Sequence, residues 1–172
     1  KAHLEGFGSI EGVRKAKGEL FDYLRQHGKT AIVNGDDEVL MKMSEGISKV
    51  ITYGTQNADV TGRILTASPF LKLELDQQWD NMLLETKLVG GYNLPNVLAA
   101  VAVGKTFAVA PEQIRLGIAS YNPSNSRSQL IEKGTNRIIL DAYNANPSSM
   151  KLAIENFNGM PENEKVLVLG AM

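Results

Sequence analysis

KTAIVNGDDEVLMKMSEGISKVITYG, residues 29–54, decides the fold. TAIVN (30–34) and KVITY (49–53) are short apolar runs of strand type, and residues 36–45 between them form a helical stretch that Gly46 ends. Strand, helix, strand over so short a span is the grammar of a parallel sheet, because parallel neighbours need a crossover connection. Upstream, Ser9 can cap a helix that runs to about His27, with Glu11 favourable in its first turn and Gly28 as its stop. Downstream, VTGRILTA (60–67), FLKLELD (70–76) and NMLLETKLV (81–89) alternate apolar and polar residues and are separated by polar turns. They read as antiparallel strands at one side of the sheet. Residues 93–108 form a helix rich in small residues, and Pro111 opens another that reaches Tyr121.

The stretch YNPSNSRSQ (121–129) is polar and turn-rich, which makes it the candidate linker, with a hinge near 122–126. The pattern then restarts. NRIILD (136–141) reads as a strand, residues 146–157 as a helix with Asn146 as cap and Pro147 at its first position, and KVLVLG (165–170) as a second strand. Met150, Ala153, Ile154 and Phe157 share one face of that helix. A right-handed β-α-β unit of this kind opens a Rossmann-like domain. The expected division is therefore residues 1–123 and 124–172, both α/β.

Composition narrows the function classes. With 43% hydrophobic and 22% charged residues the chain can fill a core, and a formal net charge of −1 gives no reason to expect nucleic acid or an anionic membrane as partner. No apolar run is long enough to insert in a bilayer, and no signal-peptide segment opens the chain. Cysteine is absent, which excludes disulfides and thiolate metal sites and fits a cytoplasmic location. The chain lacks an initiating Met and ends at VLVLGAM, as expected of a piece of a longer protein.

Five places carry candidate chemistry. Lys17 falls within the apolar stripe Ile10, Val13, Leu20, Phe21 and Leu24, whereas Lys15 points to the opposite side. Two readings stand for it: a desolvated amine with chemical use, or a stem laid over the core with its ammonium in water. His3 precedes that helix; one imidazole makes no metal site without partners. Asn93 and Asn96, three residues apart, share a helical face and offer donors and acceptors suited to an adenine edge; plain capping by Asn93 is the alternative. Asp141 closes an apolar strand, where an acid often holds a ribose hydroxyl, or else caps the following helix. Arg127 lies in the linker, free either to reach phosphate oxygens or simply to stay solvated.

In order, HLEGFGS (3–9), KAKGELF (15–21), GGYNLPNVLAA (90–100), SRSQ (126–129) and ILDAYNANPSSM (139–150) resemble the Mur ligase family along the whole chain. The resemblance is nearest to the branch that adds D-alanyl-D-alanine to UDP-N-acetylmuramoyl-tripeptide. It implies the back half of a central ATPase domain, a mostly parallel sheet with antiparallel strands at one side, followed by the start of a Rossmann-like C-terminal domain. It implies an ATP- and Mg2+-dependent ligase that works through an acyl phosphate, as a monomer. His3 then matches a magnesium-coordinating histidine and Lys17 a lysine carbamylated by CO2. Asn93 and Asn96 match an adenine-contacting pair, Arg127 an arginine that reaches the phosphates, and Asp141 an acid at the ribose. Asn144 matches a position near the phosphates or substrate. The family's phosphate loop, a Gly-rich turn ending in Lys and Ser or Thr, does not occur in these 172 residues, so the chain alone is expected to be inactive. A sister Mur or folylpolyglutamate-type ligase, and a non-catalytic Mur-like binding module, are the alternative readings.

Overall fold

The computed structural model describes residues 4–124 and 126–170. A short turn of helix α1 (Leu4–Phe7) precedes α2 (Ile10–Gln26), whose first turn is capped by Ser9 Oγ accepting from Gly12 N at 3.0 Å. Gly28 takes φ +59, the left-handed turn that releases the chain into the sheet. Strands β1 (Thr30–Asn34) and β2 (Lys49–Gly54) pair in parallel around α3 (Glu38–Ser44), which Asp37 caps through Val39 N and Leu40 N. Strand β3 (Val60–Thr66) also lies parallel to β2, but only Tyr53 and Gly54 of β2 meet it, opposite Val60 and Thr61. The start of one strand sits beside the end of the other, so the loop 55–59 replaces a crossover helix. From β3 the direction reverses: β4 (Lys72–Leu75) and β5 (Leu83–Glu85) complete the order β1-β2-β3-β4-β5 as antiparallel neighbours. The sheet is thus parallel on one side and antiparallel on the other, as the sequence pattern predicts.

Helix α4 (Leu94–Thr106) buries Leu94, Val97, Leu98, Val101 and Ala102, at three- and one-residue steps, against Val60, Leu71, Leu73, Leu75 and Leu84 of the sheet. Ile114 of α5 (Pro111–Ser120) joins this cluster, as do the partly buried Ile32 and Ile51. Alternate residues of the same strands, Ala31, Val33 and Val50, face a second cluster formed with Phe21, Leu24, Leu40 and Met41. Helices therefore cover both faces, α4 and α5 on one and α2 and α3 on the other.

Two expectations are corrected here. The apolar stripe of α2 is not a buried face: Phe21 and Leu24 pack, but Leu20 is 60% exposed, and Lys17 is exposed too. Only the C-terminal half of α2 leans on the sheet, so helical periodicity continues beyond the contact that would bury it. The second β-α-β unit does not form either. Strand β7 (Asn136–Leu140) pairs antiparallel with β6 (Gln129–Lys133) in a hairpin turned at Gly134, φ +61. After α6 (Pro147–Asn158), residues 165–170 form no strand, and Val166 and Val168 are 84% and 87% exposed. Strand propensity is realised only against a neighbouring strand, and among the described residues β7 pairs with β6 alone. Lys165 instead folds its ammonium onto the carbonyls of Asn158 and Met160, at 2.8 and 3.0 Å, at the C-terminus of α6.

Candidate functional site

The entry to α4 is built by Gly90, whose φ of +93 excludes a side chain twice over, since a Cβ there would sit 2.3 Å from the Tyr92 ring. This close approach packs the Tyr92 ring onto the Gly90 backbone. A single tight turn over Gly91–Asn93 then leads into α4. Asn93 occupies the capping position, yet its side chain makes no cap; the backbone is already helical there, so the carboxamide turns inward. It is 7% exposed, and its Nδ2 donates to Val89 O at 2.9 Å and to Ser128 Oγ at 3.3 Å. Its Oδ1 accepts from Asn96 Nδ2 at 3.1 Å, leaving the exposed Asn96 to present its own carbonyl outward. The expected asparagine pair is therefore joined, with capping as its role ruled out.

Asp141 follows β7 and meets the same point. Its Oδ1 accepts from Ser128 N at 3.2 Å, and its Oδ2 from the Tyr92 hydroxyl at 3.5 Å. Tyr92 and Ser128 hydroxyls lie 3.0 Å apart. Burial, and then the neighbouring Asp141 carboxylate, push the Tyr92 phenol above its ordinary pKa against the opposing Ser128 hydrogen bond, so it stays protonated and able to donate. Asp141 does not cap α6; Asn146 does, in a reciprocal box with Ser149. Arg127 stacks over the Tyr143 ring, 3.7 Å from its centroid, and is otherwise exposed. Among the described residues Asn144 accepts from the adjacent Ala145 N, at 2.8 Å.

The fold brings Asn93, Asn96 and Asp141 into one hydrogen-bonded group, with Arg127 beside it in the chain. Lys17 belongs to the helix on the opposite face of the sheet and has no hydrogen bond or ion pair with that group among the described residues. His3 lies outside the described residues. No group of three or more His, Cys, Asp or Glu side chains able to hold a metal ion occurs among the described residues. These residues therefore do not fit a complete magnesium site on their own. Tyr92 and Ser128 were not singled out from sequence. Their signal was the position of each directly beside a candidate residue, Asn93 and Arg127, but a hydroxyl in a polar loop carries no distinguishing pattern.

Among known proteins, the family description matching residues 1–104 is the Mur ligase middle domain. The chain is 34% identical to the UDP-N-acetylmuramoyl-tripeptide–D-alanyl-D-alanine ligase of Escherichia coli (strain K12), over 99% of this chain and 39% of that protein. Its structure is similar to a crystal structure of MurF from Acinetobacter baumannii, with TM-score 0.79 and 27% identity, covering 92% of this chain and 35% of the other. It is also similar to the MurF ligase of Thermotoga maritima in complex with ADP, with TM-score 0.74 and 25% identity over 93% and 37% of the two chains. The chain thus spans about two fifths of the length of the relatives it matches.

Proposed function

Because the chain belongs to the Mur ligase family, we propose that the protein carrying it joins D-alanyl-D-alanine to UDP-N-acetylmuramoyl-tripeptide using ATP, in cell-wall precursor synthesis. The observation that carries the reading is the convergence of Asn93, Asn96 and Asp141 at the edge of α4. The Asn96 carbonyl, held by the buried Asn93, and the Asp141 carboxylate offer acceptors suited to an adenine amine and a ribose hydroxyl. We assign residues 1–123 to the central ATP-binding domain and 124–172 to the start of the C-terminal ligase domain.

In the proposed reaction the terminal carboxylate of the tripeptide attacks the γ-phosphorus of ATP, and ADP leaves. The amine of D-alanyl-D-alanine attacks the resulting acyl phosphate, and the tetrahedral intermediate expels phosphate as the amide forms. Asn96 presents its free carbonyl to the adenine, and Asn93 holds Asn96 in place. Arg127 leaves the Tyr143 ring and offsets charge on the phosphoryl oxygens, and the two units, held together about a hinge near 122–126, exclude water from the acyl phosphate. Asn144 stands near the phosphates or the substrate. His3 and Lys17, the latter as a carbamate, are assigned to Mg2+ on the family resemblance alone. A bound Mg2+ would supply charge neutralisation for phosphoryl transfer. No described helix is long and apolar enough to cross a membrane; on the family resemblance alone we propose a cytoplasmic, monomeric enzyme.

The test is ATP kinetics in the full-length protein. Asn96→Ala removes an exposed side chain, so it should raise KM for ATP with kcat unchanged, the mark of lost uniform binding. An unchanged KM would remove the adenine assignment.

A further inference from the structure

Ser128 is 4% exposed and takes φ +47, a left-handed conformation that residues with a Cβ rarely adopt. Ser126 does the same at φ +57, so Arg127 is carried between two left-handed residues. Such a conformation persists where its surroundings over-determine it, and here they do. Ala142 N donates to Ser126 O at 2.7 Å, and Ser128 N donates to Asp141 Oδ1.

The side-chain bonds have a direction. Asn93 Nδ2 can only donate, so it donates to Ser128 Oγ. Asp141 can only accept when ionised, so the Tyr92 hydroxyl donates to it, and Ser128 must then donate to Tyr92. The result is a chain Asn93, Ser128, Tyr92, Asp141 in which every hydroxyl accepts once and donates once, and each bond polarises the next. It runs from the start of α4 to the residue that follows β7.

We propose that Ser128 and Tyr92 are positioning residues forming a latch between the two units, fixing Asp141 and Arg127 relative to Asn93 in a nucleotide-ready arrangement. This rests on the nucleotide reading above. Neither hydroxyl needs to touch the nucleotide; the latch acts by raising the fraction of molecules whose adenine and ribose groups are already in register.

Ser128→Gly separates backbone from side chain, because glycine accepts φ +47 and only the hydroxyl is lost. Tyr92→Phe breaks the same chain from the other side and serves if the first variant folds poorly. In the full-length ligase each should raise KM for ATP about three- to tenfold, as loss of a hydrogen bond does, with kcat at saturating ATP within about twofold of wild type. Ser126→Gly keeps its backbone bond and should match wild type. Spin labels at Lys49→Cys and Lys151→Cys, both exposed and one in each unit, should give a narrow distance distribution without nucleotide, broadened in Ser128→Gly and Tyr92→Phe. An unchanged distribution overturns the latch. A broadened distribution with unchanged KM overturns its positioning role. If the wild-type protein fails to bind ATP, the nucleotide reading falls, while the label distances still decide whether the latch exists.

Discussion

The Asn93 carboxamide has two protein acceptors for its N–H groups and one protein donor on its oxygen. Asn93→Ala should therefore lower stability by about 1–3 kcal/mol, because it leaves the Val89 carbonyl and the Ser128 hydroxyl without that donor. Urea unfolding of Asn93→Ala beside Asn96→Ala checks this, with the larger shift expected for the first, which loses three hydrogen bonds against one. Spacing alone could not separate the two residues, since i and i+3 positions look equivalent until burial tells the structural one from the presented one. Lys17 is the opposite case. Its periodicity points inward, yet the side chain is exposed, so burial does not prepare it for carbamylation and its assignment rests on the KAKGELF resemblance. In the full-length ligase Lys17→Ala should lower turnover by about a hundredfold, the scale on which loss of a metal-supporting group acts. Acetate should restore part of it, Lys17→Arg should stay inactive, and Lys15→Ala should stay near wild type. Near-normal turnover by Lys17→Ala would remove the assignment.

At the scale of elements, the joint between β2 and β3 depends on Asp59. Its carboxylate accepts from Thr52 N and Thr52 Oγ1 at 2.8 and 2.9 Å, and Lys105 approaches the same loop by donating to the Asp59 carbonyl. The Thr52 backbone N–H is the main reason its pKa is lowered from 3.8, with the Thr52 hydroxyl and the Lys105 charge adding to it against partial burial. A carboxylate with a depressed folded pKa contributes stability above its unfolded pKa and loses it as pH falls through the folded value. Asp59→Asn should therefore destabilise the chain near pH 7, by less than about 1 kcal/mol given its exposure, and by less at an acid pH below the usual carboxylate range. Urea midpoints at both pH values check this; equal shifts would contradict it. Most elements of the first unit could be read from the sequence because caps and apolar spacing agree, as at Ser9 and Pro111. KVLVLG misled for a physical reason: its pattern reports propensity, whereas a strand also needs a free edge to join. The β6-β7 hairpin was missed because Gln129–Lys133 directly follows a turn-rich run and carries only three apolar or neutral residues at its start.

For the whole molecule, the polar start of α4 meets the residues flanking the β6-β7 hairpin, and the candidate nucleotide residues are divided between the two. The order of the five family blocks could be read from the sequence; the junction could not, because it depends on hydroxyls brought together only by folding. The phosphate loop does not occur in these 172 residues, so the isolated chain should hydrolyse ATP no faster than buffer; robust turnover would show that phosphate binding has another source. The most direct measurement of the central claim is amide formation by the full-length protein given ATP and UDP-N-acetylmuramoyl-tripeptide, with D-alanyl-D-alanine, D-glutamate or diaminopimelate offered as the amine. The account predicts ADP, phosphate and a new amide with D-alanyl-D-alanine alone. Product with another amine, or none with any, would contradict it.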